Sequence, residues 1–459
     1  MSVEHLKEIF QAGVRRVDPE RMITDCLRLE GSILTVETET AHVELDLERF
    51  ERILVAGAGK AGAKLALGLE AVLGERITEG LVSVKYGHTE RLKKIGLIEA
   101  GHPVPDAMSV EAARRIAALV SGLDEKSLVI TLVSGGGSAL LTLPYQDDRH
   151  RLTLEDIRET TRLLLECGAP IQDINCIRKH ASGISGGRFA ALLGPAACLT
   201  LILSDVVGDR LESIASGLTA PDPMSFADAV AILEKFGIRE SVPESVRRLM
   251  EAGAAGRVKD TPKPGDPSFR RLQNVLIGTN AHALEAARRK AAELGYRSVC
   301  LTSQMTGESR EVAKALAAVA KDVVRADLLA AKPACILAGG ETTVTIRGKG
   351  KGGRNQEMAL AFLQEMEETP DAFAGVSFLS AGTDGNDGPT DAAGAFVSLE
   401  ILEQARKAGL SIRRHLDAND SYPFFDSLGA LYKTGPTNTN VCDLQIIIVT
   451  ALSLLSPTI

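Results

Sequence analysis

Short aliphatic and β-branched runs alternate along the chain with longer stretches in which apolar residues recur every three or four positions, the pattern of a parallel sheet layered between helices. Arg52 to Ala56, Leu81 to Lys85, Leu128 to Val133 and Leu199 to Leu203 read as strands, and Lys60 to Leu73 as the helix after a glycine turn. Ser109 to Val120 carries Val110, Ala113, Ala117 and Val120 on one helical face. Thr153 with Asp156 three residues on predicts a capping box. Between Glu251 and Ser268 the periodicity dissolves into Gly, Pro and charge, which predicts a linker. Beyond it the expected elements are the strand Asn274 to Ile277, a helix capped near Asn280 and stopped by Gly295, and strands at Ser298 to Leu301, Ala334 to Leu337, Thr343 to Ile346 and Val376 to Leu379. The expectation is an α/β protein of two domains, residues 1–268 and 269–459.

Composition narrows the class. A chain of 459 residues is too long for one ordinary core, and its 45% hydrophobic and 24% charged residues are those of a soluble globular protein. A net charge of −8, with no long Lys/Arg run, argues against a nucleic-acid binder. The seven cysteines are scattered and never in CxxC spacing, which reads as reduced thiols of a cytoplasmic protein. Glu4, Lys7, Glu8 and Arg15 surround a short apolar stripe, so the N-terminus reads as an amphipathic helix and not a signal peptide. The C-terminal apolar run Ile446 to Leu455 is strand-like and too short to cross a bilayer, so no membrane partner is expected.

The candidate chemistry lies in polar, glycine-rich segments, several of them directly after strands. Ser380 to Gly394 places Asp384, Asp387 and Asp391 with Asn386 and several glycines after the run Val376 to Leu379. Such a loop can hold Mg²⁺ or substrate hydroxyls, against the alternative of a solvated turn with Asx hydrogen bonds. Gly57-Ala58-Gly59-Lys60-Ala61-Gly62 follows a strand and opens a helix, as an anion-binding turn does, with Lys60 adding a mobile charge. The next strand ends Val84-Lys85-Tyr86-Gly87 without the carboxylate that a dinucleotide site uses for ribose. Ser134-Gly135-Gly136-Gly137-Ser138 follows another strand, and its consecutive glycines suit an amide nest for phosphates. Arg178, Lys179 and His180 sit near the Gly186-Gly187 turn, where contact with an anionic substrate stands level with a solvated basic face. Asp205 ends the strand Leu199 to Leu203, where open α/β sheets place ligands, with a structural cap as the equal alternative. Arg347 to Glu357 is a basic glycine loop running into a helix, able to fold over phosphates.

Taken in order, Gly57-Ala58-Gly59-Lys60, Ser134 to Ala139, Ile177 to His180, Gly352 to Glu357, Gly382 to Asp391, Asn419-Asp420-Ser421-Tyr422 and Thr434 to Thr437 resemble the glycerate 2-kinase family over nearly the whole chain. That family ends in a MOFRL domain, and some members carry the label hydroxypyruvate reductase. The resemblance implies an N-terminal Rossmann-like three-layer domain, a C-terminal MOFRL-type α/β domain over about 333–450, and an active site in the interdomain cleft. It implies transfer of the ATP γ-phosphoryl group to the 2-hydroxyl of D-glycerate with Mg²⁺, by a monomer or homodimer. Lys60 would contact substrate and Arg354 would stabilise phosphoryl charge. Asp205, Asp384 and Asp387 would divide the base and metal roles, Asp205 read as catalytic and the other two as metal ligands. Substrate and phosphate contacts would come from Gly57, Gly59, Ser134, Gly135, Gly136, Gly137, Ser138, Arg178, Lys179, Asn355, Gln356, Thr383, Asn419 and Asp420. Ser185 stands where the family pattern has lysine, and Asn438 replaces a glycine. The competing readings are an NAD(P)H-dependent hydroxypyruvate reductase and a metabolite sensor without chemistry.

Overall fold

The computed structural model describes residues 2–450, in two compact units: Pro19 to Ile277, and the chain up to Asp18 together with the chain from Gly278 onward. Residues 451–459, the end of the C-terminal apolar run included, lie outside the described residues.

In the unit Pro19 to Ile277 the segments with aliphatic runs line up side by side. The six strands of its main sheet stand in the order Ile95–Ala100, Glu79–Lys85, Arg52–Ala58, Ser127–Val133, Ala197–Leu203, Leu272–Gly278. The first five are mutually parallel. Ser127–Val133 is buried at every position, which explains its unbroken apolar run: a central strand covered on both faces has no polar side to alternate with. In chain order the sheet runs third, second, first, fourth, fifth, sixth, so the direction of winding reverses between Arg52–Ala58 and Ser127–Val133. Ligands of open α/β sheets bind outside the carboxyl ends of the strands at such a reversal. Helix Ala107–Val120 opens with a capping box from Asp106 and Ser109, and buries Ala113, Ile116 and Val120 in the core beside the sheet.

A second core belongs to helices Leu154–Glu166, Ile171–His180, Phe226–Lys235 and Glu244–Ala254, and the predicted Thr153 and Asp156 capping box opens the first of them. The segment Glu251 to Ser268 is a correction: it closes this core and does not link units. Glu251 to Ala254 finish a helix, Val258 is buried, and the Thr261 hydroxyl donates to Asp222 at 3.1 Å. Gly and Pro there serve a packed irregular segment. The predicted start of the second domain moves accordingly, because Asn274 to Ile277 lies in the edge strand of the first sheet. A three-stranded antiparallel meander, Leu27–Glu30, Ile33–Glu37 and His42–Asp46, completes this unit.

The other unit is built on a mixed sheet in the order Arg297–Cys300, Ala334–Gly340, Asp443–Val449, Val376–Gly382, Gly394–Ser398, Leu431–Tyr432. Its first pair is parallel and the rest antiparallel. The amphipathic N-terminal helix Ser2–Arg16 belongs here, packed on helix Asn280–Glu293 so closely that Gly13 faces the Ala283 backbone. Thr279 caps the latter helix, and Asn280 instead donates from Nδ2 to the carbonyls of Val441 (2.8 Å) and Asp443 (2.9 Å). Phe362 of helix Arg354–Glu368 stacks on Phe378 with centroids 4.3 Å apart. The strand expected at Thr343 to Ile346 does not form: only an isolated bridge joins Thr343 to Glu308, and Ile346 is 80% exposed.

Candidate functional site

At the reversal of the parallel sheet two glycine turns interlock. The turn after Arg52–Ala58 spends its amides internally: Gly59 N–H donates to Ser83 O (3.1 Å), Lys60 N–H to Gly135 O (2.9 Å), Ala61 N–H to the Ser134 hydroxyl (3.1 Å) and Gly62 N–H to Gly59 O (3.0 Å). The anion cradle expected at Gly57 to Gly62 is therefore closed by its neighbour, and Gly57 and Gly59 are there for fit. A Cβ on Gly59 would lie 2.0 Å from the Ser134 hydroxyl oxygen. Ser134 itself is buried and holds the two turns together.

The second turn behaves differently. Among the described residues no hydrogen bond engages the N–H of Gly135 or Gly136, and Gly136 adopts φ 85° at the start of the short helix Gly137–Leu140. The Asp205 carboxylate lies against Gly135, where a Cβ would meet its Oδ2 at 1.9 Å. Burial pushes the Asp205 carboxyl well above the usual carboxylate range, and Lys60 pulls it partly back. The Lys60 side chain runs along Gly136 beside His102. Burial, with Lys60, Lys85 and His88 adding repulsion, drives the His102 pKa down to about 4, so the imidazole is neutral at pH 7. Lys60 and Lys85 beside the unengaged Gly135 and Gly136 amides make the surface attractive to an anion.

A cavity of about 640 Å³ opens beside this turn, lined by His102, Gly136, Ser138, Arg178, Ser182, Ser185 and Ser216 on its polar side. The Ser138 and Ser216 hydroxyls share a hydrogen bond of 2.7 Å. Ala215 and Ser216 are both left-handed, at φ 47° and 57°, a strained conformation of the kind functional sites retain. Ser185 adds a hydroxyl and no charge to this wall. Arg178 donates from Nε to Thr161 Oγ1 at 3.5 Å, and burial lowers its pKa. Lys179 is a correction to the expected basic cluster, being buried and paired with Asp222 at 3.3 Å. His180 likewise turns inward, its Nε2 2.9 Å from Asp260. Consecutive residues on a helix point some 100° apart, so a run of three cations cannot face one ligand.

In the other unit the acidic loop is a clamp. Asp387 is 2% exposed and accepts from the backbone N–H of Asn355 (3.0 Å) and Gln356 (2.8 Å), and from Gln356 Nε2 (3.0 Å). Its carboxylate caps helix Arg354–Glu368, whose first amides otherwise lack acceptors. Burial raises its pKa to about 6 against the pull of those amides. With both oxygens engaged, Asp387 does not fit the metal role expected of it, and Asn355 and Gln356 are taken up in capping and in bonds to Ser380 and Thr390. Among the described residues no group of three or more His, Cys, Asp or Glu side chains is arranged to hold a metal. Asp384 is half-buried, its Oδ1 accepting from Asn386 N–H at 3.0 Å.

Thr383, Asn419 and Asp420 are also structural where ligand contact was expected. Thr383 is fully buried, with its hydroxyl on Cys442 O (2.6 Å) and accepting from Val441 N–H (2.9 Å). Asn419, at φ 51°, accepts from the N–H groups of Arg347 (2.7 Å) and Gly348 (2.9 Å), and Asp420 accepts from Lys351 N–H (2.9 Å). Together they hold the basic glycine loop by its backbone and leave Arg347, Lys349 and Lys351 exposed. Asn438 adopts φ 61°, a left-handed backbone that asparagine tolerates better than most residues. Arg354 opens its helix with a bidentate pair to Asp443 (2.6 and 2.9 Å) and a third contact to Glu341 (2.8 Å). Burial opposes its charge, but Asp443 and Glu341 raise its pKa further above the ordinary value. Asp443 escaped the sequence reading although it was visible as the lone charge entering the run Leu444 to Val449. His102 had no such signal, whereas the small polar run Ile214 to Gly217 near Asp205 was visible in the sequence.

Two family models match the chain, one described as a domain of unknown function (DUF4147) over residues 5–251 and the MOFRL family over residues 334–443. A D-glycerate 2-kinase of Thermotoga maritima is 41% identical over 443 residues, 96% of each chain. A glycerate 2-kinase of Pyrococcus horikoshii is 37% identical over 440 residues, 96% of this chain and 95% of its own. A relative from Agrobacterium vitis with the provisional name of a hydroxypyruvate reductase is 38% identical over 97% of this chain and 94% of its own. The crystal structure of the Thermotoga maritima glycerate kinase superposes with a TM-score of 0.84 at 37% identity, covering 97% of this chain and 99% of that one.

Proposed function

This chain belongs to the glycerate kinase family, and from that premise we propose that it transfers the γ-phosphoryl group of ATP to the 2-hydroxyl of D-glycerate, yielding 2-phospho-D-glycerate and ADP. The observation that carries the reading is identity of 37% and 41% to two glycerate 2-kinases over 96% of this chain. In the reaction the substrate hydroxyl oxygen forms a bond to γ-phosphorus while the bond from that phosphorus to the β-bridging oxygen breaks. The hydroxyl proton passes to a base. Asp205 is the carboxylate assigned to that role, lying against Gly135, with burial raising its pKa and Lys60 opposing the rise. Lys60 is assigned to the anionic substrate, and Arg354 to charge on the transferring group. Mg²⁺ would accompany the nucleotide, because this ion favours phosphate oxygens plus one or two carboxylates over an all-protein cage, and Asp384 is the carboxylate we assign to it.

The Agrobacterium vitis relative favours a second reading, reduction of hydroxypyruvate by NAD(P)H. Against it, the strand that should end in a ribose-binding acid ends in Lys85, beside His102. Incubation with D-glycerate, ATP and Mg²⁺, with the phosphoglycerate isomer identified by NMR, decides between them. The expected product is the 2-phospho isomer. A 3-phospho product would overturn the regiochemistry, and oxidation of NAD(P)H by hydroxypyruvate without any phospho product would overturn the kinase.

A further inference from the structure

Arg354 is assigned to charge on the transferring group, yet carboxylates surround it. Asp443 accepts from its Nε and Nη2 at 2.6 and 2.9 Å, Glu341 Oε1 lies 2.8 Å from its Nη1, and Asp387 adds a further negative charge nearby. One guanidinium among so many carboxylates leaves a net negative field, which opposes an arriving phosphate.

The two partners in contact with Arg354 differ in how they are held. The Asp443 side chain is 0% exposed, and its residue lies in an interior strand opposite Gly340 on one side and Gly382 on the other, its carbonyl accepting from Asn280. Withdrawing it would leave a buried charge unpaired. The Glu341 side chain is 44% exposed. Its backbone is fixed, since Glu341 N–H donates to Met305 O at 2.9 Å and the next residue, Thr342, is buried with its hydroxyl 2.8 Å from that of Ser309. Rotation about the side-chain bonds alone therefore carries the Glu341 carboxylate off Nη1, and a half-exposed ion pair opens at little cost. The rigid Asp443 thus fixes the guanidinium with Nη1 turned to the one movable carboxylate of the two.

We propose that Glu341 is a built-in competitor for phosphate: its carboxylate occupies Arg354 Nη1 until an anionic phosphoryl group displaces it. A phosphoryl group anchored by the rest of its nucleotide can do so, whereas free phosphate, with fewer contacts, competes poorly. Glu341 thereby discriminates against small anions. The proposal rests on the role given to Arg354 in phosphoryl transfer and deepens it by adding Glu341, which has no part in that reading.

Glu341→Gln keeps the shape of the side chain and removes its charge. Inorganic phosphate, titrated by calorimetry into the full-length protein without nucleotide, is expected to bind Glu341→Gln about threefold or more tighter than the parent. Adding Arg354→Lys should abolish that gain, because the ammonium still neutralises Asp443 but offers no separate nitrogen to phosphate. The proposal is overturned if Glu341→Gln binds phosphate no tighter than the parent, whatever happens to kcat, or if the gain survives Arg354→Lys, as a general change of charge would. Failure of the kinase reading looks different: the gain appears and depends on Arg354, but no phosphoglycerate forms from D-glycerate and ATP.

Discussion

Lys60 and Arg354 are both expected from family resemblance to serve the reaction, and their surroundings assign them different costs of removal. Arg354 neutralises the fully buried Asp443, whereas among the described residues no hydrogen bond or salt bridge engages the Lys60 ammonium. Arg354→Ala is expected to destabilise its unit by about 3 kcal/mol, because it strands a buried carboxylate. Lys60→Ala should leave the thermal midpoint nearly unchanged while lowering kcat, so calorimetry beside kinetics separates the two. Asp387 gives a second test. Its pKa is higher in the fold, about 6, than the ordinary 3.8, so the fold binds the extra proton between those values. The sign follows: its stabilising contribution is complete below pH 3.8 and is lost as pH rises through 6. Relative to Asp387→Asn, the parent protein should therefore gain stability from pH 7.5 to pH 5, read from paired thermal melts. No spacing in the sequence could tell this carboxylate from a metal ligand, since acid-rich glycine loops serve both ends and only the position of helix Arg354–Glu368 decides.

Elements show where sequence patterns suffice. Strands buried on both faces were legible because nothing but aliphatic residues suits them, and capping boxes because the two partners are local. Thr343 to Ile346 misled for a physical reason: β-branched residues favour extended backbone, but a strand needs a neighbour, and this segment has one bridge. The basic glycine loop that follows depends on Asn419 for two backbone acceptor contacts. Asn419→Ala should release it, so that limited trypsin digestion cuts at Arg347, Lys349 and Lys351 faster than in the parent chain, while the hydrophobic core of the unit keeps its melting temperature within a few degrees. Unchanged cleavage would mean the glycines hold their path without the asparagine.

For the whole molecule, the division into units was the least legible feature, since contacts between distant segments leave no periodic trace. Helix Ser2–Arg16 buries Leu6, Ile9 and Phe10 in the unit built mainly from the far end of the chain, and Val17 O accepts from the Thr439 hydroxyl at 2.5 Å. Removing residues 1–18 deletes three large buried apolar side chains, each worth about 1.5–3 kcal/mol, and uncovers the surface they pack on. Calorimetry should then show one transition moved strongly downward and the transition of Pro19 to Ile277 in place. The same connectivity sets a timetable for synthesis. Strand Asp443–Val449 occupies an interior place in the mixed sheet, between Ala334–Gly340 and Val376–Gly382. Every strand of the parallel sheet will have left the ribosome long before that one appears, so the inserted unit can fold during translation. Helix Ser2–Arg16 waits for strand Asp443–Val449, and until that strand emerges its apolar face is a natural client for a chaperone.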